Sequence, residues 1–307
     1  MKHRDLAKGI TQTNQQKNNQ SPKKNFNVWL AITIVLVVIV LLGNELFKKG
    51  TFKSEDKKET KAEVDTSTQK LEQLDTSFKE KQLKYIRVRE AFRAKRDTLK
   101  TLLKSKGINS FSIDIYLRVF KQEQELELWV KARESQQYIL LKTYKICKLS
   151  GKIGPKRKDG DGQIPEGFYH IDRYNASSKY HLSLGLNYPN RADRIRSDSL
   201  KTGSDIYIHG DCISVSSIAI TDDFIKEVYL LAIEAKSDGQ ERVPVSIFPT
   251  RLTNNNLKRL EEETNETSLK KFWGQLKKGY DYFEKCKQLP NVTINSKGEY
   301  LITSECQ

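Results

Sequence analysis

The stretch richest in potential chemistry runs from Gly203 to Asp222. A short apolar run, Ile206-Tyr207-Ile208, ends in His209-Gly210-Asp211-Cys212. Ser214, Ser216 and Ser217 follow, and Thr221-Asp222 then opens what reads as a helix. A histidine at a strand end is well placed for general-base work, since imidazole titrates near neutrality, and an adjacent glycine lets another group approach closely. Small hydroxyl residues just ahead of a helix leave backbone N–H groups free to face a developing oxyanion. An ordinary strand–loop–helix connection would carry the same residues, so spacing alone leaves both readings open.

Two further segments have weaker signals. Gly151 to Gly162 mixes glycines with Lys152, Lys156, Arg157 and Lys158, as a phosphate cradle would, but no G-x-x-x-x-G-K-[ST] pattern occurs. Asp159 and Asp161 look like part of a calcium loop, yet no bidentate glutamate follows at the required spacing, and a turn-rich solvated loop is the simpler reading. Arg191, Arg194 and Arg196 could grip a carboxylate at two points or could be surface charge. Cys147, Cys212, Cys286 and Cys306 lack the paired spacing of a zinc site, and no cofactor or metal is implied. Cys286 and Cys306 flank one C-terminal segment and could bridge there, or all four could be isolated thiols. Whether Cys147 meets Cys212 is not legible.

The elements that must position these residues follow from periodicity. Tyr85, Val88, Phe92, Leu99, Leu102 and Leu103 recur at helical steps, and Gly107 ends that helix. The period then drops to two. Ile113–Phe120 and Glu125–Val130 read as a hairpin through Lys121-Gln122-Glu123-Gln124, and Tyr138–Thr143 as the next strand. Ile206–His209 is a short strand, and Thr221 or Asp222 caps a helix whose apolar stripe is Ile225, Val228, Tyr229 and Ala232. Val243–Pro249 is a last strand, placed at a sheet edge by Pro244. From about Leu257 the chain looks mainly helical, with a short strand near Gly298–Leu301.

The 307 residues carry a formal net charge of +15, which favours polyanions in general. The lysines are spread through the chain without interleaved aromatics on one helix, which argues against a nucleic-acid partner. Residues 25–44 hold no charge, long enough to cross a ~30 Å hydrocarbon core as a helix. Trp29 sits near one end, and no small-residue cleavage site follows, so an anchor fits better than a cleaved signal peptide. Lysines flank the segment on both sides, so the positive-inside rule does not orient it. The region after it, rich in Lys, Glu, Asp, Ser and Thr, reads as a solvated linker.

Several short motifs in one order resemble the catalytic domain of bacterial L,D-transpeptidases, most nearly the periplasmic murein L,D-transpeptidase branch. They are Gly154-Pro155-Lys156, Gly160-Asp161-Gly162, Pro165-Glu166-Gly167-Phe168-Tyr169, Tyr180-His181-Leu182-Ser183, Asn187-Tyr188-Pro189-Asn190, Asp193-Arg194, Ile206–Gly210 and Ala219–Asp222. The resemblance covers roughly residues 80 to 255. It implies an α+β fold: a mostly β catalytic domain with flanking helices, here preceded by a single transmembrane helix. It also implies a catalytic loop reading His-Gly, a short stretch, then Ser-x-Gly-Cys, in which the histidine activates the cysteine to take the acyl group of a peptidoglycan tetrapeptide stem.

Position by position, His209, Gly210 and Ser214 match that loop. Ser216 stands at the glycine position and Ser217 at the nucleophile; Cys212 matches an additional cysteine of the branch. A thiol ionises readily beside histidine, whereas a serine hydroxyl must lose its proton during attack and depends on an aligned base and oxyanion hole. A side chain at position 216 adds crowding or a strained φ.

The expected site is therefore catalytic His209 and Ser217, with Gly210, Ser214, Ser216 and Arg194 binding substrate and Cys212 as an alternative nucleophile. Three readings follow: a weak or inactive relative that binds peptidoglycan stems, an active enzyme using Ser217, and one using Cys212. A wall-binding adaptor held by charge alone is a fourth. The expected organisation is a basic cytoplasmic tail (1–27), an anchor (28–47), a polar linker (48–77), the transpeptidase-like domain (78–255) and a mainly helical extension (256–307). The resemblance places the large domain outside the cytoplasm. The expected partners are peptide stems and the membrane, with no protein partner indicated.

Overall fold

The computed structural model describes residues 77–198, 200–203, 205–213 and 216–306. The expected anchor, residues 28–47, and the linker up to 76 lie outside the described residues. Among the described residues, no helix is long and apolar enough to cross a membrane.

Two helices lead in. α1 (Phe78–Leu83) starts at a capping box, in which the Ser77 side chain accepts from Glu80 N–H and the Glu80 carboxylate accepts from Ser77 N–H. α2 (Ile86–Ser105) buries Val88, Ala91, Leu99 and Leu103 along one stripe and stops before Gly107, which takes φ +81°. The strands are β1 (Ile113–Phe120), β2 (Glu125–Ala132), β3 (Ile139–Lys145), β4 (Lys148–Leu149), β5 (Gly167–Asn175) and β6 (Ser183–Leu186). A short helix α3 (Arg191–Ile195) precedes β7 (Tyr207–His209) and β8 (Ile218–Ala219). Then come α4 (Asp222–Ser237), β9 (Val243–Phe248), α5 (Asn254–Glu262), α6 (Thr267–Cys286) and a small hairpin, β10 (Val292–Ile294) with β11 (Tyr300–Ile302). The main sheet runs β3-β2-β1-β9-β5-β6-β7-β8-β4. This is a mixed α+β architecture dominated by one large sheet.

Strand alternation explains the layers. Ile113, Ile115, Leu117 and Val119 of β1 join the larger core, together with the apolar stripes of α2 and α4. Phe120 packs on the opposite side with Phe248, Trp273, Leu276 and Tyr280, and Tyr116 with Trp129 and Phe283. The sheet is thus covered on both faces, and Arg118 lies beneath α6 with no solvent exposure. Its guanidinium meets the Glu284 carboxylate at 2.7 Å and lies 4.9 Å from the Tyr280 ring.

One expectation is corrected here. Pro244 does not mark an edge: β9 is central, parallel to β1 and antiparallel to β5. The missing N–H breaks no ladder bond. Opposite Pro244 on β5, both backbone groups of His170 are engaged by Asn187. On the β1 side the ladder begins only at Val245, and the Gln240 side chain takes up the backbone groups of Ile115.

Candidate active site

The loop between β7 and β8 starts from a fixed register. The two strands are parallel, with Ile208 opposite Ile218 and His209 opposite Ala219. Ile208 and Ile218 are fully buried and point into the core. Tyr207, His209 and Ala219 therefore point to the other face, and so does Ser217, two positions before Ala219. His209 and Ser217 sit diagonally across this parallel strand pair and on the same face of it. Ser217 is 8% exposed, and its hydroxyl accepts the Tyr207 N–H at 3.4 Å.

His209 is 2% exposed, and the Tyr180 ring stacks on it at 4.8 Å. Its Nδ1 lies 2.5 Å from the Gly210 carbonyl oxygen. A carbonyl only accepts, so Nδ1 carries the proton and Nε2 holds the lone pair of the neutral ring. Burial lowers the imidazole pKa, outweighing the favourable contacts to Gly210 and Asp211. The ring is thereby kept in its basic form at neutral pH.

The glycine beside it is fixed by sterics. A Cβ on Gly210 would stand 2.5 Å from Asp222 Oδ1 and 3.1 Å from His181 Cβ. That Asp222 oxygen accepts the Asp211 N–H at 2.7 Å, tying the loop to the start of α4, while Thr221 caps the helix through Phe224 N–H. The group that approaches Gly210 is thus the protein's own carboxylate.

Ser216 has φ +59°, in the left-handed region where a glycine would be unstrained. Its N–H donates to Ser150 Oγ at 3.1 Å, so that amide is already engaged. Ser214 lies outside the described residues. Cys212 is joined to Cys147 in a disulfide, as Cys286 is to Cys306. A nucleophilic thiolate at Cys212 requires that this bond first be reduced.

Arg194 projects from α3 into a separate cavity of roughly 470 Å³, whose lining includes neither His209 nor Ser217. The glycine-rich loop is also filled from within. Asp161 accepts from Lys156 Nζ and from the N–H groups of Arg157, Lys158 and Gln163, which leaves no empty phosphate cradle and uses the carboxylate that a calcium ion would need. Among the described residues no cluster of metal-ligating side chains occurs. Sequence reasoning placed Tyr180 and Asp222 in motifs without giving them a part in holding the loop, and missed Ser150. It also missed Gly185, although an isolated glycine in a strand signals a close approach.

No family model matches the chain. Its sequence is 40% identical over 191 residues to "Putative L,D-transpeptidase YafK" of Escherichia coli (strain K12), spanning 62% of this chain and 74% of that relative. Among solved structures it is similar to the helical cell shape determining protein Pgp2 of Campylobacter jejuni, at 16% identity and TM-score 0.35, over 60% of this chain and 73% of that one. It is also similar to L,D-transpeptidase 1 of Mycobacterium tuberculosis, at 10% identity and TM-score 0.25, over 44% and 62%. The sequence relationship decides the assignment: the chain belongs to the L,D-transpeptidase family.

Proposed function

From this family membership we propose a membrane-anchored L,D-transpeptidase-like protein that engages peptidoglycan peptide stems during wall remodelling. Its large domain lies outside the cytoplasm, and its acyl-transfer activity is weak or absent. His209 and Ser217 form the reacting pair of the ancestral chemistry; Gly210, Ser214, Ser216 and Arg194 contact substrate. The observation that carries the reading is the loop itself. A neutral histidine and a serine share one face, while the residue before the serine is a non-glycine in a glycine conformation.

Serine and cysteine nucleophiles differ in the fate of a proton. A thiolate attacks without a coupled deprotonation, whereas the Ser217 hydroxyl must pass its proton to His209 Nε2 as the Oγ–C bond forms. The Ser217 oxygen accepts from Tyr207 N–H, and the Ser216 amide is held by Ser150 rather than presented to an oxyanion. Both contacts favour the resting geometry over attack.

The test is mass spectrometry of the full chain after incubation with tetrapeptide muropeptides, beside the double variant Ser216→Gly/Ser217→Cys. The wild type should give neither a covalent adduct nor altered muropeptides, and the double variant should give both. A stable acyl adduct on wild-type Ser217 would make the protein an active serine transpeptidase or amidase. An adduct on Cys212 after reduction would mark that residue as the nucleophile. A folded but inert double variant would leave stem binding without chemistry, or charge-driven wall attachment, as the role.

A further inference from the structure

We infer that the cavity walled by Arg173, Arg191 and Arg194 is a subsite for a free carboxylate of the peptide stem; this rests on the wall-directed reading above. Several hydrogen-bonding groups in the cavity are already engaged. The Asn187 side chain accepts from His170 N–H, and the Asn190 amide donates to Phe168 O and Tyr300 Oη. The Tyr188 hydroxyl donates to Thr202 O. Asp172, the one carboxylate in the lining, is held by Arg173 Nε at 2.9 Å, and the next guanidinium nitrogen of Arg173 holds Asp205 at 2.7 Å.

What remains is donor-only. Among the described residues, Arg191 makes a single long bond, 3.3 Å to Ile294 O, and Arg194 forms no ion pair. The two stand three positions apart on α3, hence on one side of it. Two exposed guanidinium groups that form no ion pair among the described residues line a cavity of roughly 470 Å³, with Arg194 acting at longer range on the buried Asp193 carboxylate, and they suit a planar acceptor with no protons of its own.

Arg173 and Ser217 belong to one cross-strand row: Arg173 pairs with Gly185, Gly185 pairs with Tyr207, and Tyr207 N–H donates to Ser217 Oγ. Arg173 lies across Gly185, where a Cβ would stand 2.8 Å from its Nε and 3.0 Å from the Tyr207 ring. The guanidinium ends 5.4 Å from that ring, and Tyr207 N–H is the donor to Ser217 Oγ. The strands β5, β6, β7 and β8 stand side by side, so Arg173 and Ser217 are three inter-strand spacings apart, about 14 Å. An extended peptide spans that in roughly four residues, the length of a peptide stem.

The test is titration calorimetry of the full chain with three probes: a tetrapeptide muropeptide with free carboxylates, the same muropeptide with its carboxylates amidated, and inorganic phosphate. The proteins are wild type, the double variant Arg191→Gln/Arg194→Gln and the charge-keeping Arg194→Lys. Both arginines are exposed, and matched thermal unfolding curves verify the fold of each variant. Wild type should bind the acid muropeptide at least tenfold more tightly than the amidated form. The double variant should lose that preference while keeping its affinity for the amidated form, and Arg194→Lys should fall between them. Equal affinity of wild type and double variant for the acid form overturns the subsite alone. Phosphate binding as tight as that of the acid muropeptide, lost in the double variant, overturns it in favour of a general anion site. Failure of wild type to bind either muropeptide overturns both the subsite and the wall-directed reading.

Discussion

The segment from Gly154 to Tyr169 and the loop from His209 to Ser217 both carry motifs of the family, yet they are built to different standards. In the first, Lys121 and Glu166 are almost fully buried and fully partnered. Lys121 Nζ donates to Gly154 O, Ile164 O and Glu166, while Glu166 also accepts from Gly154 N–H and from Trp273 Nε1 of α6. Buried charges are tolerated when every lone pair and proton is engaged, and here one carboxylate joins the β1–β2 turn, the loop and α6. The second loop is held by a disulfide and by Asp222, and it places a serine in left-handed backbone. The first segment is closed by buried, fully partnered charges, and the positions at which the resemblance implies departures, Ser216 and Ser217, both lie in the second.

Three measurements bear on that contrast. The largest effect belongs to the scaffold. Lys121→Ala strands the Glu166 carboxylate in the interior and should cost about 3–5 kcal/mol in urea unfolding. A cost below about 1 kcal/mol would show that the anchorage relaxes, and the contrast would fail on its stronger side. Next comes the staple of the loop. Replacing Cys147 and Cys212 by serine opens a closure of 65 residues and should lower stability by about 2–4 kcal/mol, as should a dithiol reductant acting on that bond in wild type. An unchanged unfolding midpoint would mean that the loop holds itself without the bond. The smallest effect runs the other way. Ser216→Gly relieves a left-handed φ and should stabilise the fold by about 1 kcal/mol, less the gain in unfolded-chain freedom. A destabilisation of that size would assign the serine a structural purpose.

Much of this was open to reading from the residues. The helix caps at Gly107 and Thr221, the β1–β2 hairpin and the β7 strand end follow from local pattern, because periodicity and capping are short-range. The correspondence of the His209–Ser217 loop to a catalytic loop came from the family resemblance, since spacing alone left an ordinary connection open. The same resemblance put a glycine at position 216, where the serine has φ +59°.

Other features depended on partners distant in sequence. Pro244 looked like an edge signal because the absence of an N–H is a local fact, whereas the side chains of Asn187 and Gln240 that make it harmless arrive from elsewhere. Arg118 is a charged residue in the middle of β1, and its burial depends on α6, some 150 residues later, which covers it. Cysteine pairing is not determined by count, since four cysteines allow three connectivities, and the folded chain brings the paired Cα atoms to 5.6 and 5.5 Å. Which groups can donate, accept, ionise or attack is a property of single residues and short runs, and is read directly from the chain. Which of them face one another is set by the fold, because register, burial and counter-charge are properties of pairs that the chain brings together from far apart.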